Sequence, residues 1–267
     1  MRKYLLPGLM PLALFFNNCS SNDDHITSEP TEKKLLLSKI TTVYYDNPSA
    51  PQTTVSTLEY NNQGELIKTI SEGTTSQFEY NNGKPVRINY YKADQTLEYY
   101  ATFTYNGDQL IASNAIYTNP NSNRKVTYTY NSNGQLASDT LCQTEDCSHP
   151  SVTSYTYNGN NVSVETSANE GIYSSSNKIE FSYDDKLNPF TNTNKYFRIL
   201  MGRAYVLSKN NYTQEKISYK YNNQPWTEYQ NTTYTIQYNS FGFPVEVIGK
   251  DANGKYAVKY NYEYTFN

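Results

Sequence analysis

Eight times along the chain, a large apolar residue, one polar residue and a tyrosine are followed at once by asparagine or aspartate. The copies run Leu58-Glu59-Tyr60-Asn61, Phe78-Glu79-Tyr80-Asn81, Phe103-Thr104-Tyr105-Asn106 and Tyr128-Thr129-Tyr130-Asn131. They continue with Tyr155-Thr156-Tyr157-Asn158, Phe181-Ser182-Tyr183-Asp184, Tyr219-Lys220-Tyr221-Asn222 and Ile236-Gln237-Tyr238-Asn239. Successive motif tyrosines lie 20, 25, 25, 27, 26, 38 and 17 residues apart. A period in the twenties held along most of a chain is the mark of a repeat architecture.

Each copy spells a β-hairpin. Two large side chains placed two residues apart share one face of a strand, and the polar residue between them takes the other. Asn or Asp, often with Gly, then supplies residues that tolerate positive φ in a tight turn, as in Asn61-Asn62-Gln63-Gly64 and Asn131-Ser132-Asn133-Gly134. An apolar residue resumes after the turn (Leu66, Val86, Leu110, Leu136, Val162, Trp226 and Val245), which marks these as core positions. Pro85, Pro225 and Pro244 precede three of them, where a strand tolerates a missing N–H.

No single hairpin of this kind is stable alone, so neighbours must stack to make a core. About sixteen to eighteen strands at roughly 4.8 Å spacing would span roughly 80 Å, and sheets of that width twist or curl. The fold class expected is all-β: antiparallel hairpin repeats forming one long, curved or coiled sheet with the Tyr/Phe ladder on its buried, concave face. The longest spacing holds a departure. Tyr196, Ile199 and Leu200 have helical spacing, which predicts either one short helix near 194–203 or an irregular insertion packed across the sheet. Composition fits an aromatic core, because 29 tyrosines supply apolar area that hydropathy scales under-credit.

The recurrent Tyr-Asn/Asp-x-x-Gly-x-Leu, as in Tyr60 to Leu66 and Tyr130 to Leu136, resembles the YD repeat of RHS-type proteins over residues from about 55 to 265. In large RHS proteins such hairpins spiral into a shell around a toxin, and eight copies are too few for that. The segment from Tyr183 to Phe190 is similar to one in Bacteroidota lipoproteins with YD-like repeats, a resemblance that implies a location and a fold but no activity.

The N-terminus reads as a targeting segment. Arg2 and Lys3 precede an apolar stretch from Leu5 to Phe16, too short and too broken by Pro7, Gly8 and Pro11 for a membrane helix. The Cys19 that follows resembles the lipidated cysteine of bacterial lipoproteins. Phe16 and Asn18 stand where that pattern has Leu and a small residue, and the Ser/Asn/Asp run after Cys19 is similar to surface lipoproteins of the Bacteroidota. The expected organisation is a signal peptide over 1–18, a flexible tether over 19–38 and a hairpin-repeat domain over 39–267. The expected setting is a lipid anchor in the outer membrane at the cell surface. Loss of residues 1–18 leaves 20 basic against 25 acidic residues with no basic run, which gives nucleic-acid binding no electrostatic support.

Two cysteines remain. Cys142 and Cys147 lie close enough for a small disulfide pinching a loop. A metal site would need them to join His149 with Asp146 or Glu145, and no second Cys/His pair completes it. Catalysis is equally poorly provided for. His25 and His149 are the only histidines, and no phosphate loop, HExxH or EF-hand loop occurs. Asp184-Asp185 reads as filling the turn position that Asn holds elsewhere rather than as half of a glycosidase pair. The expectation is a non-enzyme without metal or cofactor.

Aromatic residues outside the motif are the binding candidates: Tyr90, Tyr91, Tyr99, Tyr100, Trp226, Tyr229 and Tyr234. Exposed rings with nearby amides could bind a glycan or a protein partner through one sheet face. The alternative is a structural or assembly module of the cell envelope, whose end strands near Lys39 to Tyr45 and Tyr256 to Phe266 pair with another protein by strand addition. Strand faces that alternate aromatics with Thr, Glu and Lys leave no continuous aliphatic band for lipid, which argues against a membrane-spanning barrel.

Overall fold

The structure, a computed structural model, describes residues 34–169, 174–222 and 224–267. The expected signal peptide, Cys19, His25 and most of the expected tether lie outside the described residues. The first strands are β1 (Leu35–Tyr44), β2 (Gln52–Tyr60), β3 (Leu66–Ser71), β4 (Thr74–Asn81), β5 (Lys84–Tyr91) and β6 (Leu97–Asn106). Then come β7 (Gln109–Tyr117), β8 (Arg124–Tyr130), β9 (Leu136–Cys142), β10 (Ser151–Asn158), β11 (Asn161–Asn169) and β12 (Ser175–Leu187). Two helices, α1 (Lys195–Met201) and α2 (Ala204–Leu207), precede β13 (Asn210–Tyr221), β14 (Thr227–Tyr238), β15 (Pro244–Lys250) and β16 (Tyr256–Phe266). The helix α1 falls within the 194–203 segment. The strand β1 starts inside the stretch assigned to the tether, and it buries Leu36 and Leu37 completely.

The sixteen strands pair in sequence order, all antiparallel, and β1 pairs with β16 to close a barrel. This corrects the open, curved or coiled sheet and with it the YD/RHS resemblance as a guide to fold. It also removes the edges that strand addition requires, because Leu35 to Tyr44 is paired with Phe266 to Val258.

Closure has a local cause that recurs with the motif. The pairing register shifts at Tyr60, Tyr80, Tyr105, Tyr130, Tyr157, Tyr183 and Tyr238, so nearly every motif tyrosine marks a β-bulge. Bulges add right-handed twist and bend a strand, and a sheet bent at each hairpin in the same sense curls until its ends meet. At three of these bulges the motif asparagine, Asn61, Asn131 or Asn239, holds the turn through its side chain. Asn61 Oδ1 accepts from the Gln63 and Glu65 N–H groups, and Asn131 does the same with Asn133 and Gln135. Gly64 and Gly134, both at φ +75°, supply the left-handed residue in those turns.

The tyrosine hydroxyls then stitch one hairpin to the one before. Tyr80 donates to the Leu66 carbonyl at 2.8 Å, Tyr105 to Pro85 at 2.7 Å and Tyr130 to Leu110 at 2.7 Å. Tyr60 donates to Leu37, Tyr183 to Val162 and Tyr264 to Pro244 in the same way. Leu66, Pro85, Leu110, Val162 and Pro244 are the first inward residues after their turns, and Leu37 lies near the start of β1. Leu66, Leu110, Leu136 and Val162 are buried after their turns as expected, but at two of the proline-bearing turns Pro85 and Pro244 themselves take the inner place. Tyr80 stands opposite Pro85, and Tyr238 opposite Pro244. Val86 is therefore bulged outward and exposed. Trp226, also expected inside, stands on the outer wall between Lys178 and Lys220.

Most tyrosines and aliphatics point inward, while the outer wall carries mainly Thr, Ser, Asn and charged residues, with Ile67, Val86, Ile111 and Trp226 among its exposed apolar side chains. Lys39–Glu263 (2.8 Å), Lys68–Glu59 (3.3 Å), Lys216–Glu228 (2.9 Å) and Lys259–Glu246 (2.6 Å) are ion pairs on that outer wall.

Candidate functional site: the tyrosine-lined lumen and its plug

Most of the tight turns, the start of β1 and the end of β16 gather at one end of the barrel, and longer loops at the other. The connection between β12 and β13 is the exception at the tight-turn end. It turns inward and fills that end as a plug built on α1 and α2. On one side Phe190, Phe197 and Val206 pack with Leu37, Leu58 and Leu66; on the other Tyr196 and Ala204 pack with Leu110, Tyr128, Leu136, Tyr155 and Val162. Each large side chain buried here contributes about 1.5–3 kcal/mol. The helix α1 starts at an Asn194 cap whose Oδ1 accepts from Tyr196 N, and ends at Gly202 in the left-handed region, φ +52°.

Polar contacts latch the plug to the wall. Arg203 Nη1 meets Glu165 Oε1 at 2.7 Å, and Glu165 Oε2 accepts the Ala204 N–H at 3.0 Å. Glu165 is buried, so this two-point contact supplies the counter-charge and the donors a buried carboxylate needs. The Tyr155 hydroxyl donates to Asp139 at 2.8 Å and lies against the Gly202 carbonyl. At the rim, Asn194 reaches the Gly83 carbonyl, Tyr196 the Asp108 carbonyl and Asn192 the Leu35 carbonyl. Met201, Arg203 and Tyr205 remain exposed and floor the lumen.

Above this floor the lumen carries an aromatic ladder. Tyr90 and Tyr99 stack at 4.2 Å between ring centroids, 15° from parallel, and Tyr99 stacks on Tyr117 at 4.5 Å and 23°. The Arg124 guanidinium lies 5.8 Å from the Tyr117 ring and ends the row near the loop end. Across the lumen, Tyr234 meets Tyr212 edge to face at 4.7 Å. All four ladder groups retain some exposure, so the loop-end half of the lumen is lined by accessible rings and one cation.

The expected aromatic patch is therefore divided. Tyr90, Tyr99 and Tyr234 face the lumen, whereas Tyr91 and Tyr100 face outward by strand alternation. Tyr100 lies under the Arg87 guanidinium at 3.8 Å. Tyr229 is exposed at the loop end and Trp226 lies on the outer wall. No common face joins all seven, and the aromatic face is enclosed, which overturns binding through an open sheet face. Tyr117 and Arg124 were not anticipated, although strict alternation from Ser113 through Ala115 places Tyr117 inward. Glu165 and Arg203 were not anticipated either, since a contact 38 residues apart in sequence leaves no local signal.

The remaining expected positions are plain. Cys142 and Cys147 are joined, with Cα atoms 4.7 Å apart, in an exposed loop between β9 and β10. Among the described residues no His/Cys/Asp/Glu group has metal-binding geometry, and His149 is exposed. Asp184 and Asp185 do not form a turn. They lie within β12, where Asp184 accepts from the Tyr238 hydroxyl and Asp185 pairs with Lys186.

The sequence matches no protein family and no curated protein. Two solved structures share the fold. A porin-like protein from Bacteroides uniformis aligns with a TM-score of 0.54 at 15% identity, over 86% of this chain and 96% of that one. A porin-like protein from Bacteroides vulgatus aligns with a TM-score of 0.57, also at 15% identity, over 87% of this chain and 99% of that one. The likeness is to a closed barrel of the porin-like kind and not to a hairpin-repeat lipoprotein. It corrects the expected setting too: a lipid-anchored sheet displayed at the cell surface gives way to a barrel that is itself a wall around a lumen.

Proposed function

We propose that this chain is a porin-like barrel of the outer membrane with a channel or transport role. A polar solute enters at the loop end, passes along the Tyr90–Tyr99–Tyr117 ladder, and meets the α1–α2 plug as a gate. The observation that carries this reading is the closed barrel whose long β12–β13 connection folds inward and is latched to the wall by the half-exposed Arg203 on the buried Glu165. Planar-bilayer recordings test it. Wild type should show small, infrequent conductance steps, and Glu165→Gln, which loosens the latch while keeping an acceptor for Ala204 N–H, should raise open probability. Failure of both proteins to conduct after verified insertion would sink the reading.

A second reading rests on the outer wall. Four cross-strand Lys–Glu pairs and many Thr and Asn residues suit water better than lipid. A barrel solvated on its outside would use the same lumen to hold a solute and not to pass it. A folded, monodisperse protein in detergent-free buffer that declines to insert into vesicles would favour this alternative.

A further inference from the structure

Three motif tyrosines depart from the stitching of the barrel: Tyr238 gives its hydroxyl to the Asp184 carboxylate, Tyr221 is exposed, and Tyr157 lines a cleft. Tyr60, Tyr80, Tyr105, Tyr130, Tyr183 and Tyr264 each give their hydroxyl to a carbonyl of a neighbouring hairpin. By the same geometry Tyr157 should donate to the Leu136 carbonyl. Among the described residues it makes no such bond. The two residues instead both line a cleft of about 370 Å³ between the plug and the β8–β9 and β10–β11 hairpins.

The charge in this cleft is one-sided. Lys195, Arg198 and Lys209 line it, and no Asp or Glu does, in a chain whose formal net charge is −3. Arg198 is the informative one. Its Nε and Nη2 donate to the carbonyls of Val206 (2.8 Å), Leu207 (2.7 Å) and Ser208 (3.2 Å), which clamps the end of α2. Those carbonyls satisfy hydrogen bonds but carry no net charge. Burial draws the guanidinium below the ordinary arginine range, and among the described residues no carboxylate pairs with it. Among the described residues its Nη1 has no acceptor. Lys195 lies at 3.9 Å from Asp108, which Lys84 already engages at 2.9 Å, and Lys209 has no ion-pair partner among the described residues.

We propose that this cleft is a binding site for a small oxyanion, a free phosphate or the phosphate group of a soluble solute. Arg198 Nη1 and the Tyr157 hydroxyl face it as fixed donors, and Lys195 and Lys209 close over it as mobile ones. Guanidinium and ammonium groups around a tetrahedral oxyanion form charge-assisted bonds, roughly twice as strong as neutral ones. The cleft opens inside the rim, among lumenal residues and turns, and not on the outer wall. The anion is therefore a dissolved solute and not a lipid headgroup. The site stands independently of conductance, since binding is read on the folded protein at equilibrium.

Titration calorimetry with inorganic phosphate, and separately with a phosphomonoester, tests it. Saturable binding is expected, weakened about tenfold by Lys209→Gln and by Lys195→Gln, and about threefold by Tyr157→Phe. Lys125→Gln, on the opposite end of the barrel, should bind as wild type does. These are surface or single-atom changes, and circular dichroism checks that each variant is folded. Absence of saturable binding up to about 20 mM phosphate, or equal affinity in wild type and the Lys195/Lys209 double variant, overturns the proposal.

Discussion

The β12–β13 connection and the other tight-turn hairpins begin alike and end differently. In the β2–β3 and β8–β9 hairpins a motif tyrosine is followed at once by a tight Asn-bonded turn, and the chain returns directly up the wall. After Tyr183 the strand runs on to Leu187, and the chain then spends residues 188–209 inside the barrel before β13 begins. The regular hairpins teach how the wall closes: bulge, Asx-bonded turn and hydroxyl stitch, repeated. The irregular one teaches what the closed wall is for, since an aromatic cylinder with an open end would otherwise leave apolar surface facing water. Phe190, Tyr196 and Phe197 supply the cover.

The largest effect should come from emptying the plug. Phe197 is buried and lies 6.0 Å edge-on to Phe78, so Phe197→Ala should cost about 3–5 kcal/mol in urea unfolding. If the loss is under about 1 kcal/mol, the plug is a loosely docked insertion and the contrast with the wall collapses. A sharper and smaller effect separates motif tyrosines from one another. Tyr80→Phe removes a stitch to Leu66 and should cost about 0.5–1.5 kcal/mol, whereas Tyr157→Phe removes none and should leave stability unchanged. Equal losses in chemical denaturation would mean that the stitch is not what distinguishes these positions. The smallest effect belongs to the closing seam. Lys39→Ala breaks the partly exposed Lys39–Glu263 pair and should change stability by no more than about 1 kcal/mol, less at high salt. A larger, salt-insensitive loss would show that β1–β16 pairing depends on that pair and not on the backbone ladder and the buried Leu36 and Leu37.

Particular residues show how far reading from sequence could go. The alternation of Phe78-Glu79-Tyr80 placed two rings on one face and Glu79 on the other, because strand geometry makes that assignment local. The same alternation could not say which face of a wide sheet would become an interior, so Tyr90 and Tyr99 were grouped with Tyr91 and Tyr100. Prolines misled in another way. Pro85 and Pro244 were read as strand starters ahead of a core residue, but the bulge shifts the inward position onto the proline itself. A one-residue register shift moves a side chain through the wall, and no propensity encodes it.

By itself the sequence determined the hairpins, the aromatic face of each strand, the tight turns and the break in the repeat where a short helix or an irregular insertion was expected, since each depends on residues within a few positions of one another. Closure, the inside of the barrel, the Arg203–Glu165 latch and the cleft where Tyr157 stands unstitched were decided by tertiary structure. Each joins groups tens to hundreds of residues apart, from Glu165 and Arg203 to Leu35 and Phe266. Their positions depend on twist accumulated over sixteen strands, a sum that no local window contains.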